Sequence, residues 1–546
     1  QVHFEKYLPA YMIPYRFVYM EQFPLSKNGK IDRAALLQIR ELKEESEISA
    51  PANEIEMKIS VIWGKYLESD QVSVDENFFA LGGDSIIAQR IAQELTKQFA
   101  VKIPFVKIVE TGTVKELARF IQTETESKEE PKATLLSENQ GEKTVEASQT
   151  ELPMTNIQKA YFNGRNDSFE LAHYNAHYYF EVEFPYEISD IERSIAQMLE
   201  RHEVLRSIFL KNGTQKILAD VPEYKVDITI AETEQEFAEK NEQMRRELSH
   251  KNYDFSKWPL FTFEVLKRGC DDFKILCASI NLMVCDGDSL RIFLKEFTEG
   301  LNNKKLPPIH YSYHEYVNSL NDCTNEREYQ EAKAYWLNKV PCFPEFPHLP
   351  MLKNLTQCKN YRISRVSETI DAETWGTFKN TVRKHAVSPS TVLCTIYARV
   401  LAKWSNQKDL LLNMTAFERK EFDQNVSGIL GDFTKILPLE VHIDGADFWD
   451  NAMQIQTRIL NNLDHKAFDG TEIIRELSRL SNGIGKALMP VVFTCVLFDS
   501  DENWFEQIGK LRYAVTQTPQ VFLDNQILEM KHELYISWDY VEDLFN

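Results

Sequence analysis

No apolar run in the 546-residue chain is long enough to cross a bilayer. The strongest, Ala487 to Phe498, is about a dozen residues, against the roughly 20 that a membrane helix needs. Positive charge is also scarce: 62 Lys and Arg stand against 83 Asp and Glu, for a net charge of −21, and the basic residues are dispersed. Neither nucleic acid nor an anionic membrane surface is therefore an expected partner. The eight cysteines (Cys270, Cys277, Cys285, Cys323, Cys342, Cys358, Cys394 and Cys495) contain no CxxC pair, and several lie within apolar runs. They read as reduced, buried thiols of a cytoplasmic protein, and no metal site is expected. No period of 20 to 50 residues repeats. The opening residue is Gln1, not Met, and the first segment lacks the look of a signal peptide, so the chain is expected to be a piece of something longer.

What is present is ample material for cores, with 43% hydrophobic and 12% aromatic residues, and a length that suggests three or four domains. The most informative string is LGGDSI, Leu81 to Ile86. A serine nucleophile needs a base and an oxyanion hole, whereas Ser85 follows two glycines and precedes the amphipathic stretch Ile87, Ile91, Leu95, Phe99. That pattern is a helix start. Free backbone N–H groups and the positive dipole end favour an anion there, so the hydroxyl suits a phosphate-linked arm. Taken alone, the string is an ordinary serine cap behind a glycine turn.

The flanks say more. A short charged segment, Glu41 to Pro51, leads into Ile55, Ile59, Ile62 and Tyr66 at helical spacing, and Val114, Leu117 and Ile121 form a closing amphipathic helix. Thr123 to Glu151 is rich in Glu, Lys, Ser, Thr and Gln, as a flexible tether is. Residues 52–124 resemble the peptidyl carrier domain of nonribosomal peptide synthetases, a four-helix bundle, with a linker at 125–150. The resemblance implies 4′-phosphopantetheine on Ser85, installed by a phosphopantetheinyl transferase. Upstream, FPLSKNGKIDR places Lys30 beside an Asn28-Gly29 turn. Alone this is a solvated charge, but the string resembles the end of an adenylation domain, whose equivalent lysine contacts the acyl-adenylate. Residues 1–45 are then a small α+β remnant, and the rest of that domain is an upstream partner. No phosphate-binding loop precedes Lys30, so no ATP-dependent activity is expected.

Residues 151–546 mix helical stretches (Ile191 to Leu205, Thr391 to Ser405) with β-rich ones (Tyr178 to Val182, Lys274 to Met283, Val491 to Phe498), in more length than one core accommodates. The strings LPMTNIQKAYFNGR from Leu152, RHEVLR from Arg201, FPHLP from Phe346, ILGDFTKILPLEV from Ile429, PVVFT from Pro490 and TQTPQVFLDNQ from Thr516 together resemble the heterocyclization variant of the synthetase condensation domain. The resemblance implies a multidomain α/β protein ending in two chloramphenicol-acetyltransferase-like lobes, about 151–330 and 331–546, with a tunnel between them. The family adds one more helix after a strand-and-turn like WDYVEDLF, so part of the second lobe is expected to be missing.

Ordinary condensation domains carry HHxxxDG. Asp286 and Gly287 align with its last two positions, leaving Asn281 and Leu282 where the histidines belong. Leucine moves no proton, and His250 and His310 lie well outside the motif, so histidine-dependent condensation is not expected. The cyclizing variant carries DxxxxDxxS, matched by Asn281, Asp286 and Ser289 except that an amide replaces the first carboxylate. An amide cannot hold a buried cation, so this departure threatens an uncompensated charge. The plain alternative is a strand end and polar loop; the resemblance assigns these positions to shaping the site.

The resemblance implicates Asp524, after TPQVFL, and Thr494, in PVVFT, in cyclodehydration. Water loss requires protonation of the leaving oxygen and removal of a nitrogen proton, which one carboxyl group can shuttle. An aspartate titrates near 3.9 in water, so a useful acid needs a dry or anionic setting. Thr494 would orient Asp524 or hold the intermediate's oxygen. The alternatives are a hairpin turn at Asp524-Asn525 and a strand threonine bonded to backbone. The expected reaction joins a donor on Ser85 to Cys, Ser or Thr on a downstream carrier and closes a thiazoline or oxazoline. Condensation without ring closure, and a non-catalytic platform for docking carriers, remain as alternatives.

Overall fold

The computed structural model describes residues 49–126 and 151–545, apart from isolated positions and short stretches, among them 82–84, 104–106, 323–325, 420–425 and 498–502. Lys30, the expected 1–45 remnant, His310, Cys323 and most of the expected linker lie outside the described residues. The chain divides into two compact units, residues 1–135 with 379–389, and residues 136–378 with 390–546.

In the first unit, helices α1 (Glu54–Leu67), α2 (Ser85–Phe99) and α3 (Val114–Glu126) are joined by a further helical stretch that includes Lys107, Ile108 and Thr111. Asn53 starts α1 by accepting from Glu56 N at 2.8 Å, while Glu56 Oε2 accepts from Ala52 N at 2.7 Å. Each helix turns one apolar stripe inward: Ile59, Ile62 and Trp63 from α1, Ile91 and Leu95 from α2, Leu117 and Ile121 from α3. Trp63 meets Phe78 edge-on at 5.3 Å between ring centroids.

The second unit begins with β1 (Glu151–Pro153), α4 (Asn156–Gly164), β2 (His177–Glu183), α5 (Ile188–Arg201), β3 (Ser207–Phe209), β4 (Thr214–Ile217), β5 (Asp227–Ala231), α6 (Glu234–Leu248), β6 (Phe261–Arg268), β7 (Lys274–Asn281) and α7 (Gly287–Leu301). It continues through β8 (Ile363–Ile370), α8 (Pro389–Ser405), β9 (Asp409–Phe417), β10 (Thr434–His442), α9 (Phe448–Asp464), α10 (Gly470–Leu480), β11 (Val491–Leu497), β12 (Lys510–Gln517), β13 (Leu523–Met530) and β14 (Glu533–Val541). These strands make a five-stranded sheet, β12-β2-β7-β6-β5, a six-stranded sheet, β10-β9-β11-β13-β14-β8, and a small one, β1-β4-β3.

Every residue of β7 is buried, because helices cover both faces of its sheet. Ile195 and Met198 of α5 and Phe293 and Phe297 of α7 pack with Phe180 and Phe263 on one side. Phe237, Met244 and Leu248 of α6 pack with Tyr179 and Cys277 on the other. In the six-stranded sheet, β11 and β13 are parallel, which requires a crossover between them. That crossover contains β12, which leaves for the other sheet, pairs with β2, and returns.

One sequence expectation needs correction, and one alternative falls. Cys270 and Cys342 are exposed, not buried, because one sits in the loop joining β6 to β7 and the other in a 3-10 turn. The Asp524-Asn525 pair is no hairpin turn: both residues lie inside β13, and the turn falls at Lys531 and His532, with φ of 53° and 62°. Positive φ at two successive central residues is what a tight antiparallel hairpin demands.

Gly470, the buried first residue of α10, sets how closely that helix approaches β10. A Cβ there would lie 1.9 Å from the Ile436 carbonyl oxygen. Gly470→Ala should therefore push α10 off β10 and cost about 1–3 kcal/mol, seen as a lower unfolding midpoint. An unchanged midpoint would mean the approach is not tight.

Candidate active site

Strand alternation builds the site. Asn413, Thr415 and Phe417 on β9, Thr494 and Val496 on β11, and Asp524, Gln526 and Leu528 on β13 share one face of the six-stranded sheet and line a cavity of about 110 Å³. Tyr161 of α4, Tyr178 of β2, Thr516 of β12 and Leu290 of α7 supply other walls. Gly287 admits the Phe417 ring, since a Cβ would come within 2.7 Å of it.

Asp524 and Thr494, proposed from separate strings, meet here. Thr415 Oγ1 donates to Thr494 Oγ1 at 2.8 Å, and Thr494 Oγ1 donates to Asp524 Oδ1 at 3.4 Å. Gln526 Nε2 donates to Asp524 Oδ2 at 2.8 Å. The carboxyl is thus bonded to neutral groups. Burial pushes it up to about 7, helped by the neighbouring Asp539 carboxylate and opposed by the bonds from Gln526 and Thr494 and by Arg365. An acid that titrates near neutrality can both give and take a proton at working pH.

Asn281, Asp286 and Ser289 are fully buried, and none of them lines the cavity. Asp286 caps α7, accepting from Ser289 N at 2.7 Å through Oδ1 and from Phe433 N at 3.0 Å through Oδ2. Ser289 Oγ donates to Gly431 O at 2.7 Å and accepts from Gly431 N at 3.0 Å and Arg419 Nη2 at 2.8 Å. This is a clamp that ties the start of α7 to the loop before β10. Arg419 is held by Asp288 and lies 3.5 Å from Asp286, so the amide at Asn281 leaves this cation paired. Asn281 Oδ1 instead accepts from Met283 N at 2.9 Å and shapes the turn after β7.

An imidazole does lie across from the motif, one that spacing along the chain does not reveal: His177 is the register partner of Asn281. Its Nδ1 lies 3.0 Å from the Asn175 carbonyl oxygen and its Nε2 2.5 Å from that of Ser249. Both nitrogens are committed to backbone, and the alternation along β2 turns the ring away from the cavity that Tyr178 lines. His250 is likewise engaged, accepting from Ile363 N at 3.0 Å through Nε2, and burial lowers it to about 4.

Other site residues escaped the sequence reading. Asn413 lines the cavity, and its Oδ1 has no partner. Asp432, in the GDFT string, is fully buried with Oδ2 unpartnered, and burial beside Asp286 holds its carboxyl far above the usual range. Their signal was available only as polar residues inside apolar strings. Among the described residues no cluster of His, Cys, Asp and Glu is arranged to hold a metal.

In the first unit, α2 starts at Ser85 and carries no acidic residue in its first turn. A helix N-terminus without acidic residues in its first turn favours an anion, so the backbone here fits a phosphodiester.

Asp524 also makes stability depend on pH. Its carboxyl titrates at 3.8 when unfolded and about 7 when folded. Below the lower value both states are protonated; between the two the unfolded chain ionises first, so stability falls as pH rises and levels off above 7. Asp524→Asn removes that loss. Its unfolding free energy should match that of the native protein near pH 3.5 and exceed it at pH 8, by at most about 4 kcal/mol. A difference constant with pH would contradict the raised acidity.

The comparisons with known proteins agree with this architecture. Residues 148–546 match the condensation domain and residues 58–121 the phosphopantetheine attachment site. Bacitracin synthase 1 of Bacillus licheniformis is 32% identical over 98% of this chain and 10% of its own length. Phenyloxazoline synthase MbtB of Mycobacterium sp. (strain MCS) is 28% identical over 88% of this chain and 40% of its own. The solved EpoB NRPS cyclization-docking bidomain from Sorangium cellulosum superposes with a TM-score of 0.67 at 27% identity, covering 72% of this chain and 81% of that one. The chain spans only 10%, 18% and 19% of bacitracin synthase 1 and of plipastatin synthase subunits A and C. The chain belongs to the condensation-domain family of nonribosomal peptide synthetases, and carries a carrier domain that takes 4′-phosphopantetheine on a serine.

Proposed function

We propose that the condensation-type domain closes a ring: it joins a donor carried on Ser85 to Cys, Ser or Thr on a downstream carrier and cyclodehydrates the product to a thiazoline or oxazoline. The prosthetic group supplies the thiol that holds the donor as a thioester. The observation that carries this reading is the Asp524 carboxyl, bonded to Thr494 and Gln526 and held near neutrality inside the cavity. The printed descriptions of two relatives, a phenyloxazoline synthase and a cyclization bidomain, support it.

The proton balance is simple. Once the acceptor's thiol or hydroxyl has added to the new amide carbonyl, the former carbonyl oxygen is a hydroxyl. Asp524 gives it a proton, the C–O bond breaks, water leaves, and the resulting carboxylate takes the nitrogen proton as the C=N bond forms. The acid is thereby regenerated. Thr494 spends its one hydroxyl proton on Asp524 and so holds that carboxyl in line. The boundaries that follow are a carrier at 52–124 and a ring-closing domain at 151–546, with an adenylation remnant at 1–45 and a phosphopantetheinyl transferase as an external partner.

With a cysteine-loaded acceptor carrier, the intact mass of the carrier-bound product should be one water lighter than the linear peptide. Asp524→Ala should leave the linear peptide and remove the ring; unchanged ring yield would overturn the role of Asp524. Because the acid form is lost as pH rises through about 7, the ratio of ring to linear product should fall across that range. Ser85→Ala should abolish the added phosphopantetheine mass; retention would place the anchor elsewhere.

A further inference from the structure

Asp524 does not stand alone on its row of the sheet. Across three consecutive strands, Asp524 of β13 faces Asp539 of β14, which faces Arg365 of β8. Strands in a sheet are about 4.8 Å apart, so Asp539 is one strand from Asp524 and Arg365 two. Arg365 binds Asp539 through both arms, Nε to Oδ1 at 2.7 Å and Nη2 to Oδ2 at 2.6 Å. Thr516 N and Oγ1 also donate to Asp539 Oδ2, at 3.0 and 2.5 Å. Gln526 stands between the two ends: its Oε1 accepts from Arg365 Nη2 at 2.9 Å, and its Nε2 donates to Asp524 Oδ2 at 2.8 Å. The negative end of the ion pair is therefore the nearer one to Asp524, while the guanidinium, two strands away and bonded to the same Gln526 amide, opposes the effect of Asp539.

We propose that Asp539, locked by Arg365, is a positioning residue: a fixed negative charge whose place beside Asp524 keeps that carboxyl in its acid form. As a stabiliser, a buried ion pair of this kind is close to neutral against apolar replacements, because desolvation offsets attraction. As a source of field in a dry site it is strong. The phenols of Tyr161 on α4 and Tyr178 on β2 line the same cavity, and that of Tyr397 on α8 packs on the other face of the sheet against Phe493 and Trp538; burial keeps all three neutral. Asp539 is thus the anionic neighbour that acts on Asp524. The consequence for ring closure rests on the function proposed above; the effect on Asp524 does not.

The test uses the whole chain. The infrared C=O band of the protonated carboxyl, assigned to Asp524 by its loss in Asp524→Asn, is followed against pH. Asp539→Asn should lower the midpoint by about one unit, a tenfold loss of proton affinity, since it removes an anion and leaves the Arg365 cation unpaired. Asp539→Asn with Arg365→Gln, which keeps a neutral pair and guards against a folding defect in the single variant, should lower it by less. The pH at which ring formation gives way to linear product should fall in step, which a merely structural role would not produce. A midpoint unmoved in both variants overturns the inference. A midpoint that moves while the product ratio does not upholds it and removes Asp524 from the chemistry.

Discussion

A carboxyl group buried in a cavity wall with no cation bonded to it is the constraint around which the second unit is arranged. In water Asp524 would be an ordinary aspartate; burial between the two larger sheets pushes it up to about 7. The neutral donors Thr494 and Gln526 fix its orientation without neutralising it, and the charged pair one strand away stays on its own side of Gln526. Affinity for a proton is here a property of sheet register: shifting β14 by one residue against β13 would turn Asp539 to the opposite face.

Much of this was readable in the residues. The helical spacing of Ile55, Ile59, Ile62 and Tyr66, or of Val114, Leu117 and Ile121, follows from one helix burying one stripe, so these helices of the first unit were visible, although the buried aromatic of α1 is Trp63 and not Tyr66. Thr494 and Asp524 were found because each sits in a distinctive string. Their meeting was not visible, since it depends on a parallel pairing of β11 and β13 that spacing does not announce. Arg365 and Asp539 were beyond reach for the same reason: the two lie 174 residues apart along the chain and touch only through the β14-β8 ladder. A lone Arg in ISRVSETI or a lone Asp in SWDY carries no mark of its partner.

Asn281 teaches a different lesson. Comparing its amide with the expected carboxylate suggested a missing counter-charge, but the cation at this motif belongs to Asp286 and Asp288. At position 281 the bond made is from the Met283 N–H, which an amide oxygen accepts as a carboxylate would, while the buried Nδ2 is left without a partner. A departure from a familiar string matters only through the bonds the side chain makes.

The excursion of β12 bears on how such proteins are recombined. The five-stranded sheet, otherwise built from residues before 282, takes its edge strand and one cavity wall from residues 510–517. A chimera joined near the middle of the second unit would inherit a sheet completed by a foreign strand, with Thr516 and its bonds to Asp539 coming from the opposite parent to Tyr178. Exchange between homologues should therefore respect two crossovers, not one, so that the borrowed strand travels with the sheet it completes.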